Sequence, residues 1–430
     1  MQVYINPDKK EWPKILSRPA LDLQQLDKTV TIVFDEVKSL GDRAVKKNTK
    51  QFDKVEVNEL RVSVAEFEEA ERVVPKNLKN AIDIAKNNIE KFHLSQRDEV
   101  RMIDTIPGVT CWRESKAIES VGLYIPGGTA PLFSTVLMLG VPAKLAGCKE
   151  IVICSPPDID GKIHHAILYA AQVAGVTKVF KAGGIQSIAA MTFGTESIPK
   201  VHKIFGPGNQ YVTAAKRYSL LKGVAIDMPA GPSEVLVLAD DSADPDFVAA
   251  DLLSQAEHGA DSQVILVTYT ESFAEKVADS IMEQLKELPR VTTATAALQH
   301  SRIILVPDKK TAIELINFYA PEHLIVSVLD EGDYIDEIVN AGSVFLGHYT
   351  PESAGDYASG TNHTLPTSGY AKAYSGVSLD SFVKKITFQR ISPKGLQSLG
   401  PSIEIMAEAE GLRAHKNAVS VRLKKLNKND

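Results

Sequence analysis

The chain has 430 residues, 44% of them hydrophobic and 24% charged, and its formal net charge at pH 7 is -6, which is typical of a soluble globular protein of two or more domains. The acidic balance argues against nucleic acid as the main partner, because phosphate binding needs a basic face. No window approaches the roughly 18 consecutive apolar residues of a membrane helix, and residues 1–12 lack a signal-peptide pattern, so we expect a cytoplasmic enzyme.

The first quarter of the chain reads as an arm followed by helices. Residues 1–20 are irregular and rich in proline, which predicts an arm that lies on another part of the fold. An amphipathic helical pattern covers 21–52 with a break at Gly41, and a second pattern covers 64–97, where Pro75 divides it.

Strands then alternate with helices over about 100 residues. Apolar runs predict strands at 109–113, 118–124, 150–154, 179–182, 203–205 and 223–227. The intervening patterns predict helices at 129–140, with Pro131 in the first turn, and at 164–174, 185–193 and 210–218. This alternation predicts a parallel sheet, which binds ligands at the carboxyl ends of its strands. Glycine turns follow several strands, but no G-x-G-x-x-G occurs, so a nucleotide site stays open at this point.

A second α/β series follows. Its predicted strands are 234–239, 263–268, 302–306 and 324–328, and its predicted helices are 244–258, 272–285 and 311–319. Asp244 and Pro245 suit the start of the first of these helices, and Gly259 suits its end.

We therefore predict an α/β protein with two incomplete Rossmann-like parallel-sheet domains. The first comprises residues 21–121 and 237–377, and the second comprises 122–236. Residues 378–430 form a C-terminal segment with a helical tail over 401–426, which we expect to dock on a partner subunit.

A long polar segment at 351–369 carries Asp356, Asn362 and His363. It has no helical or strand period, and such segments are usually binding loops or linkers. An apolar run leads directly into it, which favours an active-site wall over a plain surface loop.

Several polar residues offer nitrogen and oxygen ligands without a thiolate. Gln255 and His258 share one face at a helix end, Asp356 lies in the polar segment, and His415 lies in the tail helix. This set suits zinc or a similar cation, although no compact ligand motif such as HExxH occurs. Glu322, beside His323 and just before a strand, is placed as an acid–base group would be, or is a satisfied loop pair.

The three cysteines form no CxxC pair, which favours a reducing compartment. Cys148 and Cys154 are predicted to be small buried side chains.

The longer motifs resemble those of one enzyme family. They are Ala230-Gly-Pro-Ser-Glu234, Ser254-Gln-Ala-Glu-His-Gly259, Ala320-Pro-Glu-His-Leu324, the run from Glu352 to Thr367, and Glu410-Gly-Leu-Arg-Ala-His-Lys-Asn417. In this order, over nearly the whole chain, they look like the histidinol dehydrogenases.

The resemblance implies oxidation of L-histidinol to L-histidine through L-histidinaldehyde, with two NAD and one water, as the last two steps of histidine biosynthesis. It implies one zinc per subunit, with ligands at Gln255, His258, Asp356 and His415. It also implies a homodimer in which His415 and Glu410 act across the interface.

The same resemblance assigns the remaining contacts. Substrate contacts match Ser233, Gln255, His258, His323, Asp356, His363, Glu410 and His415, and NAD contacts match Tyr124, Gln186 and Asn209. His323 would take the hydroxyl proton while a hydride leaves, and Glu322 would activate water to attack the aldehyde.

Three other functions remain possible on sequence. One is a relative that oxidises another small alcohol, including a sulfonated one, although Glu410 favours an amino-bearing substrate. Another is a zinc hydrolase with Glu322 as the water base, against which the glycine turns count. The third is a non-catalytic binding protein, against which the Glu322–His323 pair counts.

Overall fold

The computed structural model describes residues 1–19, 23–127, 131–229 and 231–428. The described residues form two units, one within Met1–Gln96 and Ile118–Phe382 and the other within Arg97–Ala117 and Val383–Asp430. The predicted boundary at 20/21, the start of the helix predicted at 129–140 and Ala230 of the quoted motif lie outside the described residues.

The strands and helices are numbered in chain order. The strands are β1 (Gln2–Ile5), β2 (Ile103–Ile106), β3 (Val109–Ala117), β4 (Ser120–Tyr124), β5 (Glu150–Ser155), β6 (Lys178–Lys181), β7 (Lys203–Phe205), β8 (Ala225–Ile226), β9 (Glu234–Ala239), β10 (Gln263–Thr268), β11 (Arg302–Leu305), β12 (His323–Ser327), β13 (Ser343–Leu346) and β14 (Val383–Ile391). The helices are α1 (Trp12–Ile15), α2 (Leu23–Leu40), α3 (Asp42–Phe52), α4 (Val64–Val73), α5 (Lys76–Leu94), α6 (Phe133–Ala146), α7 (His165–Ala174), α8 (Gly184–Phe193), α9 (Gln210–Leu220), α10 (Pro245–Ala256), α11 (Glu271–Leu285), α12 (Val291–Gln299), α13 (Lys309–Tyr319), α14 (Glu352–Tyr357), α15 (Pro393–Ala409) and α16 (Arg413–Leu426). Short 3-10 turns cover Glu331–Glu337, Tyr370–Lys372 and Leu379–Phe382.

The first sheet has five parallel strands in the order β6-β5-β4-β7-β8. Alternate residues of its strands enter different cores, with Leu123 on one face and Tyr124 on the other. Helices cover both faces, so every buried strand residue must be apolar or paired. The strand order reverses between β4 and β7, and a crevice for ligands forms at such a point.

The second sheet has six parallel strands in the order β1-β11-β10-β9-β12-β13. The same alternation divides its side chains, since Val235 and Val237 face one core while Leu236 and Leu238 face the other. Together the two sheets confirm the predicted α/β class with two Rossmann-like parallel sheets.

The second unit is built differently. Strands β14, β3 and β2 form an antiparallel sheet, and α15 packs against α16. Gly400 of α15 faces Leu423 and Val419 of α16, where its missing side chain permits close approach.

The packing differs from the expected grouping of residues 21–121 with 237–377. Helices α2, α4 and α5 instead contribute apolar side chains to the cores around the five-stranded sheet. The expected boundary at 236/237 also falls inside β9, which pairs along its length in the six-stranded sheet. Helical periodicity shows that a helix has an apolar face, but it does not name the sheet that this face covers.

Several element boundaries also differ from the predictions. The arm contains β1 and α1, the polar segment contains α14, and the predicted tail helix is two helices broken near Gly411. Helix α6 begins at Phe133, so Pro131 precedes it, and α10 ends at Ala256 rather than at His258. None of the described helices is both long and apolar enough to cross a bilayer.

Candidate active site

A cavity of about 620 Å³ lies in the first unit. Its walls come from the turns after β4 and β7, from the chain just before β9 and β12, and from the end of α10 and the polar segment. Predicted site residues that line it are Asn209, Ser233, Gln255, His258, Glu322, His323, Asp356 and His363. The carboxyl edge of one sheet thus faces the amino edge of the other across a single space.

Glu322 and His323 stand at the entry to β12, after the left-handed residue Ala320. Both are held by the backbone of one residue of β9, Glu234. The backbone nitrogen of Glu234 donates to Glu322 Oε2 at 2.8 Å, and the backbone oxygen of Glu234 accepts from His323 Nδ1 at 3.1 Å. A carbonyl only accepts, so Nδ1 carries the proton and the pocket receives Nε2.

Two carboxylates of α14 lie beside His323. Glu352 is 1% exposed, and Asp356 Oδ1 lies 3.4 Å from His323 Nε2. Among the described residues, His323 Nε2, Glu352 Oε2 and Asp356 Oδ1 are buried without a hydrogen-bond partner. The ligand atoms of these three residues lie within 4.8 Å of one another. Such unsatisfied nitrogen and oxygen donors fit a divalent cation of the zinc type.

Burial sets the protonation of this cluster. It raises the pKa of Glu322 and of Glu352 to about 8. Burial also opposes the charged forms of Asp356 and His323, but attraction outweighs it. His323 lowers the pKa of Asp356, while Glu352, Glu322 and Asp356 raise the pKa of His323 well above its ordinary value. Without a cation, the charge therefore resides on the His323–Asp356 pair.

Gln255 and His258 reach the cavity from the end of α10. With its amide nitrogen turned to Glu352 Oε1 at 2.6 Å, Gln255 accepts from the backbone nitrogen of Glu234 at 3.2 Å. Its side chain is fully buried, whereas His258 follows the helix end and is exposed. His258 therefore lies just beyond the helix rather than in its last turn as predicted, and both residues face the same cavity.

The polar segment contributes His363, which is fixed at both ring nitrogens. Its Nδ1 donates to the backbone oxygen of Asp356 at 2.9 Å, and its Nε2 lies 3.0 Å from Thr135 Oγ1. These contacts join the segment to α6 and place it as a wall of the cavity.

The predicted cofactor residues lie along the carboxyl edge of the five-stranded sheet. The Tyr124 hydroxyl accepts from the backbone nitrogen of Gly184 at 3.3 Å, and Asn209 caps α9. Gln186 donates to Asp53 Oδ2 at 3.2 Å, while its own Oε1 is buried without a partner among the described residues. An unsatisfied amide at a glycine turn and helix start fits a polar cofactor.

Glu410 and His415 belong to the second unit, where both are exposed. Sequence reasoning missed Glu352, Asp53 and Glu234 as contributors to the site. Glu352 and Glu234 lay within quoted motifs, and their burial beside assigned residues was the missing information.

The histidinol dehydrogenase family model matches residues 16–423. Over 428 residues the chain is 61% identical to the histidinol dehydrogenase of Bacteroides fragilis, which covers 100% of both chains. The chloroplastic histidinol dehydrogenase of Arabidopsis thaliana is 54% identical, covering 95% of this chain and 88% of that protein. A crystal structure of histidinol dehydrogenase from Elizabethkingia anophelis matches with a TM-score of 0.96 and 58% identity over 99% of both chains. The chain belongs to the histidinol dehydrogenase family of oxidoreductases.

Proposed function

We propose that the protein oxidises L-histidinol to L-histidine through L-histidinaldehyde, transferring two hydrides to two NAD and consuming one water. The observation that carries this proposal is one cavity that joins the Glu322–His323 pair, unsatisfied cation-type donors and the glycine turns after β4 and β7. The choice of histidinol as the substrate rests on the relatives, which are histidinol dehydrogenases.

We assign the zinc ligands to Gln255, His258 and Asp356, with His415 from a second copy of the chain. The unsatisfied Oδ1 of Asp356 and the buried amide of Gln255 support this set. A bound zinc ion would orient the amino alcohol, and its positive charge would favour the neutral form of His323. In this assignment Glu352 keeps its hydrogen bond from the Gln255 amide and is not a zinc ligand.

The chain's own residues account for the proton steps. Nε2 of His323 faces the cavity and accepts the hydroxyl proton as the hydride leaves the alcohol carbon. The Glu322 carboxylate, held at Oε2, accepts a proton from the water that attacks the aldehyde. As the hydrate forms, His323 returns its proton to the aldehyde oxygen, so that Nε2 can accept a hydroxyl proton again when the second hydride leaves. Ser233 and His363 hold the substrate against these groups.

The cofactor side uses Tyr124, Gln186 and Asn209. Bound NAD would supply the hydride acceptor. Tyr124, Gln186 and Asn209 lie at a strand end and at helix starts, where backbone amides are available, and this supports a polar ligand there. Asp53 fixes the Gln186 amide, so that Oε1 of Gln186 stays free to accept from the cofactor.

We also propose a homodimer in which Glu410 and His415 complete the partner's site. The second unit exposes large apolar side chains, including Ile405 at 70% and Met406 at 66%, on the helix that ends beside Glu410. Such surfaces favour burial against another chain. A cytoplasmic location is part of the same proposal, and the free thiols of Cys111, Cys148 and Cys154 support a reducing compartment.

The test measures NADH at 340 nm with limiting L-histidinol and excess NAD, on protein loaded with zinc, then treated with a chelator, then resupplied. We expect two equivalents of NADH per histidinol, lost with the chelator and restored by zinc. One equivalent would contradict the four-electron reaction. If another small alcohol were oxidised but histidinol were not, that alcohol would replace histidinol as the proposed substrate. Activity without any nicotinamide cofactor would favour the zinc hydrolase.

The ligand assignment has a separate test in bound metal. His258→Ala and Asp356→Ala are expected to bind less than about a tenth of the wild-type zinc, since losing one of four ligands weakens such a site strongly. Glu352→Gln is expected to retain zinc. Loss of zinc from Glu352→Gln with retention in His258→Ala would favour the His323–Glu352–Asp356 cluster instead.

A further inference from the structure

The N-terminal arm ends in a buried ion pair that nothing in the reaction uses. Arg18 Nε lies 2.6 Å from Glu234 Oε1, and Arg18 Nη2 lies 2.8 Å from Glu234 Oε2. The two side chains are 22% and 2% exposed. A bidentate pair of this kind fixes direction as well as distance, because both planar groups must align.

Glu234 is also the residue whose backbone nitrogen and oxygen hold the acid–base pair. Its backbone nitrogen donates to Glu322, and its backbone oxygen accepts from the Nδ1 proton of His323. Its carboxylate points the other way, to Arg18 and to the backbone nitrogen of Ser368 at 2.7 Å. A rotation of this residue would therefore move the partners of both Glu322 and His323.

Arg18 also contacts the end of α13, from which the chain leads to the same acid–base pair. Its Nη2 donates to the backbone oxygen of Tyr319 at 2.8 Å, and its guanidinium lies 4.0 Å from the centre of the Tyr319 ring. Tyr319 ends α13, and the left-handed Ala320 and then Pro321 lead from it to Glu322. One guanidinium thus fixes the strand that binds the acid–base pair and the turn that carries it.

We propose that Arg18 and Glu234 are positioning residues, which hold the Nδ1–H form and direction of His323 and the direction of Glu322. The effect on turnover rests on the proposed function, whereas the effect on His323 does not. Neither residue touches substrate in this proposal, and both act through the backbone of Glu234 and the turn after Tyr319.

The kinetic test uses zinc-loaded Arg18→Met, Arg18→Lys, Glu234→Gln and the double variant Arg18→Met/Glu234→Gln. For Arg18→Met we expect kcat to fall about 10- to 100-fold, because a misplacement of roughly 1 Å costs this much. The KM values for histidinol and NAD should stay within about twofold, since the groups that bind them remain. Arg18→Lys keeps the positive charge but lacks the bidentate geometry of the guanidinium, so its kcat should lie between those of Arg18→Met and the wild type.

The double variant tests whether the two residues act together. Because Arg18 acts partly through Glu234, the loss of kcat in the double variant should be smaller than the product of the two single losses, and a loss equal to that product would contradict the coupling. The matched control is Lys9→Met, which removes another cation of the same arm, paired with Glu314 on the surface. It should leave kcat unchanged.

A second readout does not depend on turnover. In zinc-loaded protein labelled with 15N-histidine, the His323 signals, assigned by their loss in His323→Asn, should show a protonated Nδ1 and an unprotonated Nε2 in the wild type. In Arg18→Met and Arg18→Lys we expect the signals of mixed tautomers. A lower melting temperature with unchanged kcat and unchanged His323 signals would overturn the proposal. If the wild type did not oxidise histidinol, the proposed function would fail, and the nitrogen signals alone would decide the positioning role.

Discussion

The Glu322 carboxylate is anchored at one oxygen, which makes the water step separable from the first oxidation. Glu322→Gln keeps an acceptor for the Glu234 amide and removes the base. We expect the second oxidation to slow by about 10²-fold or more, as for other losses of a general base. NADH formed early with limiting histidinol should approach one equivalent, and an aldehyde trap should capture the remainder.

Glu314→Gln, a change of the same kind on the surface of α13, is the control and should still yield two equivalents. Equal slowing of both oxidations in Glu322→Gln would show that this carboxylate is not the water base.

Asp53 gives the stability of the protein a pH dependence. Burial raises its pKa to about 6, although the hydrogen bond from Gln186 opposes the shift. The unfolded chain releases this proton near pH 4, so between about pH 4 and 6 the folded state binds more protons. Stability from this group is therefore present below pH 4 and is lost as pH rises through 6.

Asp53→Asn removes this titration and keeps an acceptor for Gln186. The free energy of unfolding of the variant minus that of the wild type should be larger at pH 7 than at pH 4.5, by on the order of 2 kcal/mol. Urea unfolding gives the free energy of unfolding of both proteins at each pH, and hence the gap between them at pH 7 and at pH 4.5. An equal gap at both pH values would show that Asp53 titrates normally.

At the scale of elements, local chemistry made much of the fold predictable. The break at Gly41 and the division at Pro75 separate helices where the sequence predicted, because Gly41 has φ 53° and Pro75 precedes the first turn of α5. Asp244 and Pro245 begin α10 as predicted, with the Asp244 side chain accepting from the backbone nitrogen of Asp246. These signals act over three or four residues.

The rest of the fold and of the site could not be predicted in this way, because it depends on contacts between residues that are far apart in the chain. Strand β1 forms because β11 offers an edge some 300 residues away. The short α14 carries Glu352 and Asp356 into the interior, where contacts with Gln255 and His323 hold them, and no helical period in the sequence predicts this. Likewise, His323 meets Asp356 and Gln255 only after two strands and two helices pack, so their distances could not be read from sequence spacing.

The turn after β7 is an element whose geometry can be tested by one methyl group. Gly206 has φ 125°, and a Cβ there would lie 2.1 Å from the backbone oxygen of Tyr124. Gly206→Ala must move the end of β4, so we expect a loss of roughly 2 kcal/mol or more in stability. The KM for NAD should rise several-fold, since Tyr124 belongs to the proposed cofactor side. Thermal unfolding and initial rates measure the two effects.

Gly223→Ala is a matched control, because Gly223 also has a positive φ of 82° but no atom of the described residues lies within 4 Å of the position that a Cβ would take. Only the backbone penalty of roughly 1 kcal/mol applies there, and the KM for NAD should not change. Equal effects of the two substitutions would contradict the steric argument.

At the scale of the whole molecule, the two sheets of the first unit contribute opposite edges to one cavity. The five-stranded sheet offers its carboxyl edge, as the general rule for such sheets expects. The six-stranded sheet instead offers its amino edge, where Ser233 and Glu322 precede β9 and β12. Eight predicted site residues line this cavity, while Glu410 and His415 belong to the second unit.

If His415 serves the site of a second copy, two inactive subunits can restore one another. We predict that a mixed dimer of His323→Asn and His415→Asn subunits, selected with two affinity tags, regains about half the wild-type activity, because one of its two sites holds both histidines. A mixed dimer of His323→Asn and His363→Asn is the control, and it stays inactive since both changes lie in the first unit. A wild-type and His323→Asn dimer calibrates the half-active level. An inactive first pair would place His415 in its own chain's site, and an active His415→Asn homodimer would place it outside any site.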